Sequence, residues 1–148
     1  MAVNRDRDPE ALRVSGRTPA VILDSNFLFI PYRFGVDIFD ELERLLGVPL
    51  RCLVPQCVID ELQSLDNDAS PGFSKEIRFA LKLVERCEIV DVNPVDGEAV
   101  DDLLLRFAVQ TGYPVATNDS ELRKRLKHEK VSVIYLRQRA YLMLDGVT

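Results

Sequence analysis

Apolar positions along this chain follow two rhythms: short continuous runs, and longer stretches with a helical repeat. The first run, Ala20-Val21-Ile22-Leu23, contains two β-branched residues and reads as a short buried strand. It breaks at Asp24-Ser25-Asn26, whose side chains bond nearby backbone and favour turns and caps. Val36 to Leu46 then sets Ile38, Phe39, Leu42, Leu45 and Leu46 at helical spacing, with Gly47 as the stop. Arg51 to Val54 reads as a second strand. Gln56 to Leu65 reads as a helix with Val58, Ile59, Leu62 and Leu65 on one face. After the turn-rich loop from Asn67 to Gly72, Phe73 to Arg86 predicts another helix, with Ile77, Ala80, Leu81 and Val84 inward. Glu88 to Asp91 is a third expected strand, closed by Asn93-Pro94. Asp96 is the expected N-cap of a helix running through Val100, Leu103, Leu104, Phe107 and Ala108 to Gly112. Pro114 to Thr117 predicts a fourth strand, Asp119 to His128 a basic helix, Val131 to Leu136 a fifth strand, and Arg137 to Leu144 a helical tail.

This alternation predicts an α/β domain in which a five-stranded parallel sheet carries helices on both faces. At 148 residues the chain fits one domain, placed at 19–148 after a polar lead-in at 1–18. Met1 to Arg17 mixes four Arg with three acids and has no apolar core of signal-peptide type. No apolar run approaches the ~20 residues that span a bilayer. Cys52, Cys57 and Cys87 are odd in number and form no C-x-x-C pair. They read as small buried hydrophobes in a reducing compartment, the cytoplasm.

Net charge is −5, but it is unevenly spread. Residues 1–120 carry 12 basic and 21 acidic side chains, whereas residues 121–148 carry seven basic against three acidic. A basic segment on an acidic body can be a phosphate-binding face, although a solvated helix surface is the commoner meaning of such a run.

Four acids sit where the fold brings elements together. Asp24 ends the first strand and Asp119 follows the fourth, and in a doubly wound sheet neighbouring strand ends at the switch point bind ligands. Capping of the next helix is the competing role for Asp24 and Ser25. The other acids come in pairs, Asp60-Glu61 and Asp101-Asp102. Glu61 and Asp101 each lie roughly 90° from the centre of their helix's apolar face, while Asp60 and Asp102 point away to solvent. Four converging carboxylates repel one another, and a hard divalent cation with oxygen ligands, Mg²⁺ or Mn²⁺, relieves that repulsion. His128 is the only histidine, which leaves little for a Ser-His-Asp mechanism or a zinc site, and it reads as a surface residue.

The four stretches Ile22-Leu23-Asp24-Ser25-Asn26, Val58-Ile59-Asp60-Glu61-Leu62, Val100-Asp101-Asp102-Leu103-Leu104 and Ala116-Thr117-Asn118-Asp119 resemble, in order and spacing, those of PIN-domain nucleases. The segment Phe27 to Phe39 and the ending Val133-Ile134-Tyr135-Leu136-Arg137 are similar to the archaeal branch that includes VapC-type toxins and small-subunit rRNA-processing PIN proteins. The resemblance implies a three-layer PIN-like fold with strand order 3-2-1-4-5 and Mg²⁺- or Mn²⁺-dependent endoribonuclease activity. It assigns catalytic and metal-binding roles to Asp24, Glu61, Asp101 and Asp119. Ser25 or Asn26, and Thr117 or Asn118, become groups that orient ligands and water. It also implies RNA as substrate, a homodimer, and either an antitoxin protein or a pre-ribosomal particle as partner; the apolar tail Ala140 to Leu144 can contribute to such a dimer or simply cap the core.

For RNA contacts, Tyr32 and Arg33 in the loop after the first strand can stack and pair, and Arg123, Lys124 and Arg125 follow Asp119 closely. A haloacid-dehalogenase-type phosphatase needs a second Asp where Asn26 stands. A receiver domain lacks its acidic pair and its lysine here. The remaining alternative is a PIN-like module without activity that serves as an RNA-binding or ribosome-assembly scaffold.

Overall fold

The computed structural model describes residues 18–146, so the lead-in expected at 1–18 lies, except for its last residue, outside the described residues. Strand β1 (Ala20–Leu23) is buried along its whole length because it runs through the middle of the sheet. It pairs in parallel with β2 (Arg51–Pro55) on one side and with the two-residue β4 (Val115–Ala116) on the other. With β3 (Glu88–Val90), β5 (Val133–Arg137) and β6 (Tyr141–Asp145), the order is β3-β2-β1-β4-β5-β6.

The first five strands are parallel and take the expected order, whereas β6 runs antiparallel to β5. The sixth strand corrects the expectation of five, and it forms from the tail that the sequence pattern makes helical. Gln138 and Arg139 hold φ of 53° and 56°, and the Ala140 N–H donates to the Arg137 carbonyl at 3.1 Å. Two successive positive-φ residues give the primed turn that matches hairpin twist, here without the usual Asn-Gly signal. The reversal lays Leu142 into the core beside Leu136.

A 3₁₀ turn (Asn26–Phe29) leads into the short α1 (Ile30–Phe34), so Tyr32 and Arg33 stand on a helix rather than in a loop. α2 (Ile38–Leu46) is capped by the Asp37 carboxylate, which accepts from the Phe39 and Asp40 N–H groups. α3 (Gln56–Asp66) buries Val58, Ile59 and Leu62, but Leu65, near its end, is exposed. α4 (Pro71–Leu83), capped by Ser70, continues into the 3₁₀ turn Val84–Arg86. α5 (Val100–Thr111) begins later than expected: Ala99 takes the cap position without a side-chain bond, and Asp96 lies in the preceding turn. α6 (Ser120–His128) is capped by Asp119 and ends the helical set. Among the described residues no helix is long and apolar enough to cross a membrane. All three cysteines are free, but only Cys52 is fully buried, and Cys57 and Cys87 are half-buried. Burial pushes the Cys52 and Cys87 thiols up to about 12 and that of Cys57 up to about 11, so they remain protonated and inert.

Candidate functional site

The sheet reverses direction of growth between β1 and β4, and the carboxyl ends of these neighbours carry Asp24 and Thr117-Asn118-Asp119. Asp24 is only 3% exposed and takes three donors. The Ser25 N–H donates to Oδ1 at 2.8 Å, while the Asn26 amide at 3.0 Å and the Thr117 hydroxyl at 2.7 Å donate to Oδ2. Asn26 ties the two strand ends together, because its Oδ1 accepts from the Asn118 N–H at 3.0 Å. Thr117 Oγ1 accepts from the Asp119 N–H at 3.1 Å, and Asn118 Oδ1 accepts from the Leu136 N–H at 2.9 Å, prolonging the short β4 ladder towards β5.

Ser25 makes no capping bond; its hydroxyl donates instead to Glu61 Oε1 at 2.6 Å, joining β1 to α3. Glu61 and Asp101 are half-buried, while Asp60 and Asp102 are exposed. Asp60 accepts from Gln56 on its own helix, and Asp102 accepts from Arg125 Nη2 at 2.6 Å. Asp119 does serve as a helix cap, through Oδ1 to the Glu121 and Leu122 N–H groups.

The electrostatics link all four acids. Burial pushes the Asp24 carboxyl up to about 6; the bonds from Thr117 and Ser25 oppose this, and the charges of Asp101 and Glu61 add to it. Asp101 is also raised, first by burial, then by Asp119 and Glu61, against an opposing pull from Arg125. Among the described residues no three or more His, Cys, Asp or Glu side chains are grouped closely enough to hold a metal ion together. An oxygen-only, mutually repelling and open acidic set suits a hard cation of the Mg²⁺ type, which keeps waters and needs only one or two protein carboxylates.

The basic residues of α6 part company. The Arg123 guanidinium lies over the Tyr135 ring at 3.8 Å, Lys124 faces Glu121 at 3.6 Å, and Arg125 reaches Asp102. Tyr32 stands edge-on to Phe79, and Arg33 pairs with Glu76 at 2.7 Å while covering Phe29. The Arg125–Asp102 contact has no signature in sequence, since 23 residues separate its partners.

With this geometry in place, the sequence pattern of the PIN-like domain family matches residues 21–139. The chain belongs to that family. It is 30% identical over 124 residues to Ribonuclease VapC9 of Archaeoglobus fulgidus, covering 84% of this chain and 87% of the relative. It is 25% identical over 130 residues to Ribonuclease VapC4 of Methanocaldococcus jannaschii, covering 86% and 97%. The fold matches that of the PIN domain endonuclease Utp24 with a TM-score of 0.72 at 24% identity, over 87% of this chain and 95% of that one. The resemblance to PIN-domain nucleases seen in the four acidic stretches is borne out. In this PIN-family chain the first and fourth stretches meet at the β1/β4 switch point, and the second and third supply Glu61 and Asp101 from flanking helices.

Proposed function

We propose that this chain is a divalent-metal-dependent endoribonuclease that hydrolyses RNA phosphodiester bonds at the cleft of Asp24, Glu61, Asp101 and Asp119. The observation that carries this reading is the convergence of these acids at one sheet edge: Thr117 bonds both Asp24 and the Asp119 backbone, Ser25 joins Asp24 to Glu61, and Asp101 lies near enough for its charge to act on Asp24. Asp24 and Asp101 would hold Mg²⁺ or Mn²⁺ directly, and Glu61 and Asp119 would act on it through its remaining waters. When bound, the cation neutralises charge on the phosphodiester and lowers the pKa of an attacking water. Thr117, Ser25 and Asn26 fix the Asp24 carboxylate, Ser25 also fixes Glu61, and Asn118 holds the end of β4 in place. Lys124 and Arg125 are the α6 residues placed to meet the RNA backbone; Tyr32, Arg33 and Arg123 contribute stacking and charge at the margins.

The VapC relatives carry ribonuclease names, which favours a toxin-like role with an antitoxin protein as partner; the cytoplasm is the proposed location. A pre-ribosomal particle is the alternative partner, and Ala140 to Leu144 is a candidate homodimer segment. The test is cleavage of mixed single-stranded RNA with Mn²⁺, Mg²⁺ or EDTA. Metal-dependent cutting by the wild type is expected, with loss of about 10²-fold or more in Asp24→Asn and Asp101→Asn and near-normal rates in Asp102→Asn. RNA bound but never cut under any metal would replace this reading with the inactive scaffold.

A further inference from the structure

Beside the acidic cleft, the groove between α5 and α6 contains a cavity of about 360 Å³. Leu105 of α5 lines it together with Lys124, Arg125 and His128 of α6 and Glu129 just beyond. This volume lies at the lower end of the ~300–1,000 Å³ typical of small-ligand sites, enough for one nucleotide rather than a longer run. Its lining combines Lys124, Arg125 and His128 with one acid, Glu129, and one apolar side chain, Leu105; nitrogen donors outnumber the carboxylate, which suits a phosphate carrying a base.

Arg125 connects this cavity to the cleft. Arg125 lines the cavity, while its guanidinium bonds Asp102 at 2.6 Å and acts electrostatically on Asp101. The other two side chains have acidic neighbours at longer range, Glu121 at 3.6 Å from Lys124 and Glu129 at 3.9 Å from His128. Lys124 and His128 are 76% and 87% exposed, so these are weak pairs that a phosphate can displace.

We propose that this cavity is a one-nucleotide RNA subsite adjoining the scissile bond, with Lys124, Arg125 and His128 receiving the phosphate and Leu105 the base. The inference rests on the endoribonuclease reading above, and it gives His128 a binding role.

The test is fluorescence anisotropy of a short labelled single-stranded RNA in EDTA across a salt series. Wild type is compared with a Lys124→Gln/His128→Asn variant and with Lys82→Gln, an exposed charge on α4 outside the cavity. The double variant is expected to bind about tenfold more weakly, with a salt slope flatter by about 0.7, the share of one phosphate on a single strand. Lys82→Gln should match the wild type. Equal affinity and slope in the double variant, or an equal loss in Lys82→Gln, would overturn the subsite even if the wild type cuts RNA. A wild type that neither binds nor cuts RNA would overturn both the subsite and the nuclease reading.

Discussion

Asp24 is under opposing demands. Burial disfavours its charge, three converging donors favour it, and the neighbouring acids disfavour it again. The net effect lifts its pKa from 3.8 to about 6. Below the lower value the proton is bound in both folded and unfolded chains, and the associated stability is fully present. That stability is lost as the pH rises through about 6, an effect of ~3 kcal/mol at 1.36 kcal/mol per unit. Asp24→Asn cannot titrate, so its stability relative to the wild type should rise between about pH 4 and pH 7. Urea unfolding of both proteins at the two pH values checks this, and a constant difference would contradict it. An asparagine offers only one acceptor to the three donors, so its absolute stability falls short of the full relief.

The elements teach a different lesson. Helical periodicity alone separates Glu61 from Asp60 and Asp101 from Asp102, because burial on an amphipathic helix follows a 100° step and needs no knowledge of partners. The last segment was not legible in this way. Tyr141-Leu142-Met143-Leu144 has good helix formers, yet it becomes a strand because β5 offers an unpaired edge and the 138–140 turn returns the chain to it. The outer edge of β6 is then closed by α2: Leu142 N–H donates to Glu41 Oε1 at 3.0 Å, and Arg44 Nη2 donates to the Leu142 carbonyl at 3.0 Å. Both outward backbone groups of Leu142 are thus satisfied by side chains, which blocks strand-to-strand hydrogen bonding at that residue and leaves only side-chain packing for a dimer contact there. Glu41→Ala removes the acceptor and frees Arg44, and it should lower stability by about 1–2 kcal/mol. Chemical denaturation reads that loss directly; an unchanged midpoint would mean that water replaces the carboxylate without penalty.

At the scale of the whole molecule, the switch between β1 and β4 determines where chemistry can occur. Strand order places residues 24 and 117 in direct hydrogen-bond contact, although 93 positions separate them in sequence. The same packing concentrates negative charge that donors to Asp24 and the Arg125 guanidinium offset only in part, so divalent cation binding should stabilise the protein. At a hundredfold excess over Kd the gain is about 2.7 kcal/mol. Thermal unfolding should therefore shift upward with Mn²⁺ or Mg²⁺ in the wild type but not in Asp24→Asn. The shift should shrink from about pH 8 to about pH 5, where protons compete for Asp24. A wild type indifferent to either ion would remove the metal from the proposed mechanism.

The order of strands and helices, the parallel sheet and the acidic stretches of the PIN family were all legible in the sequence, because each depends on local periodicity or on residue types at short spacing. Contacts that join distant segments were not. The bond from Ser25 to Glu61, the bridge from Asn26 to Asn118, the Arg125–Asp102 pair and the sixth strand each need two parts of the chain to meet. Only the folded sheet sets those distances, and with them the burial that lifts Asp24 and the cavity between α5 and α6.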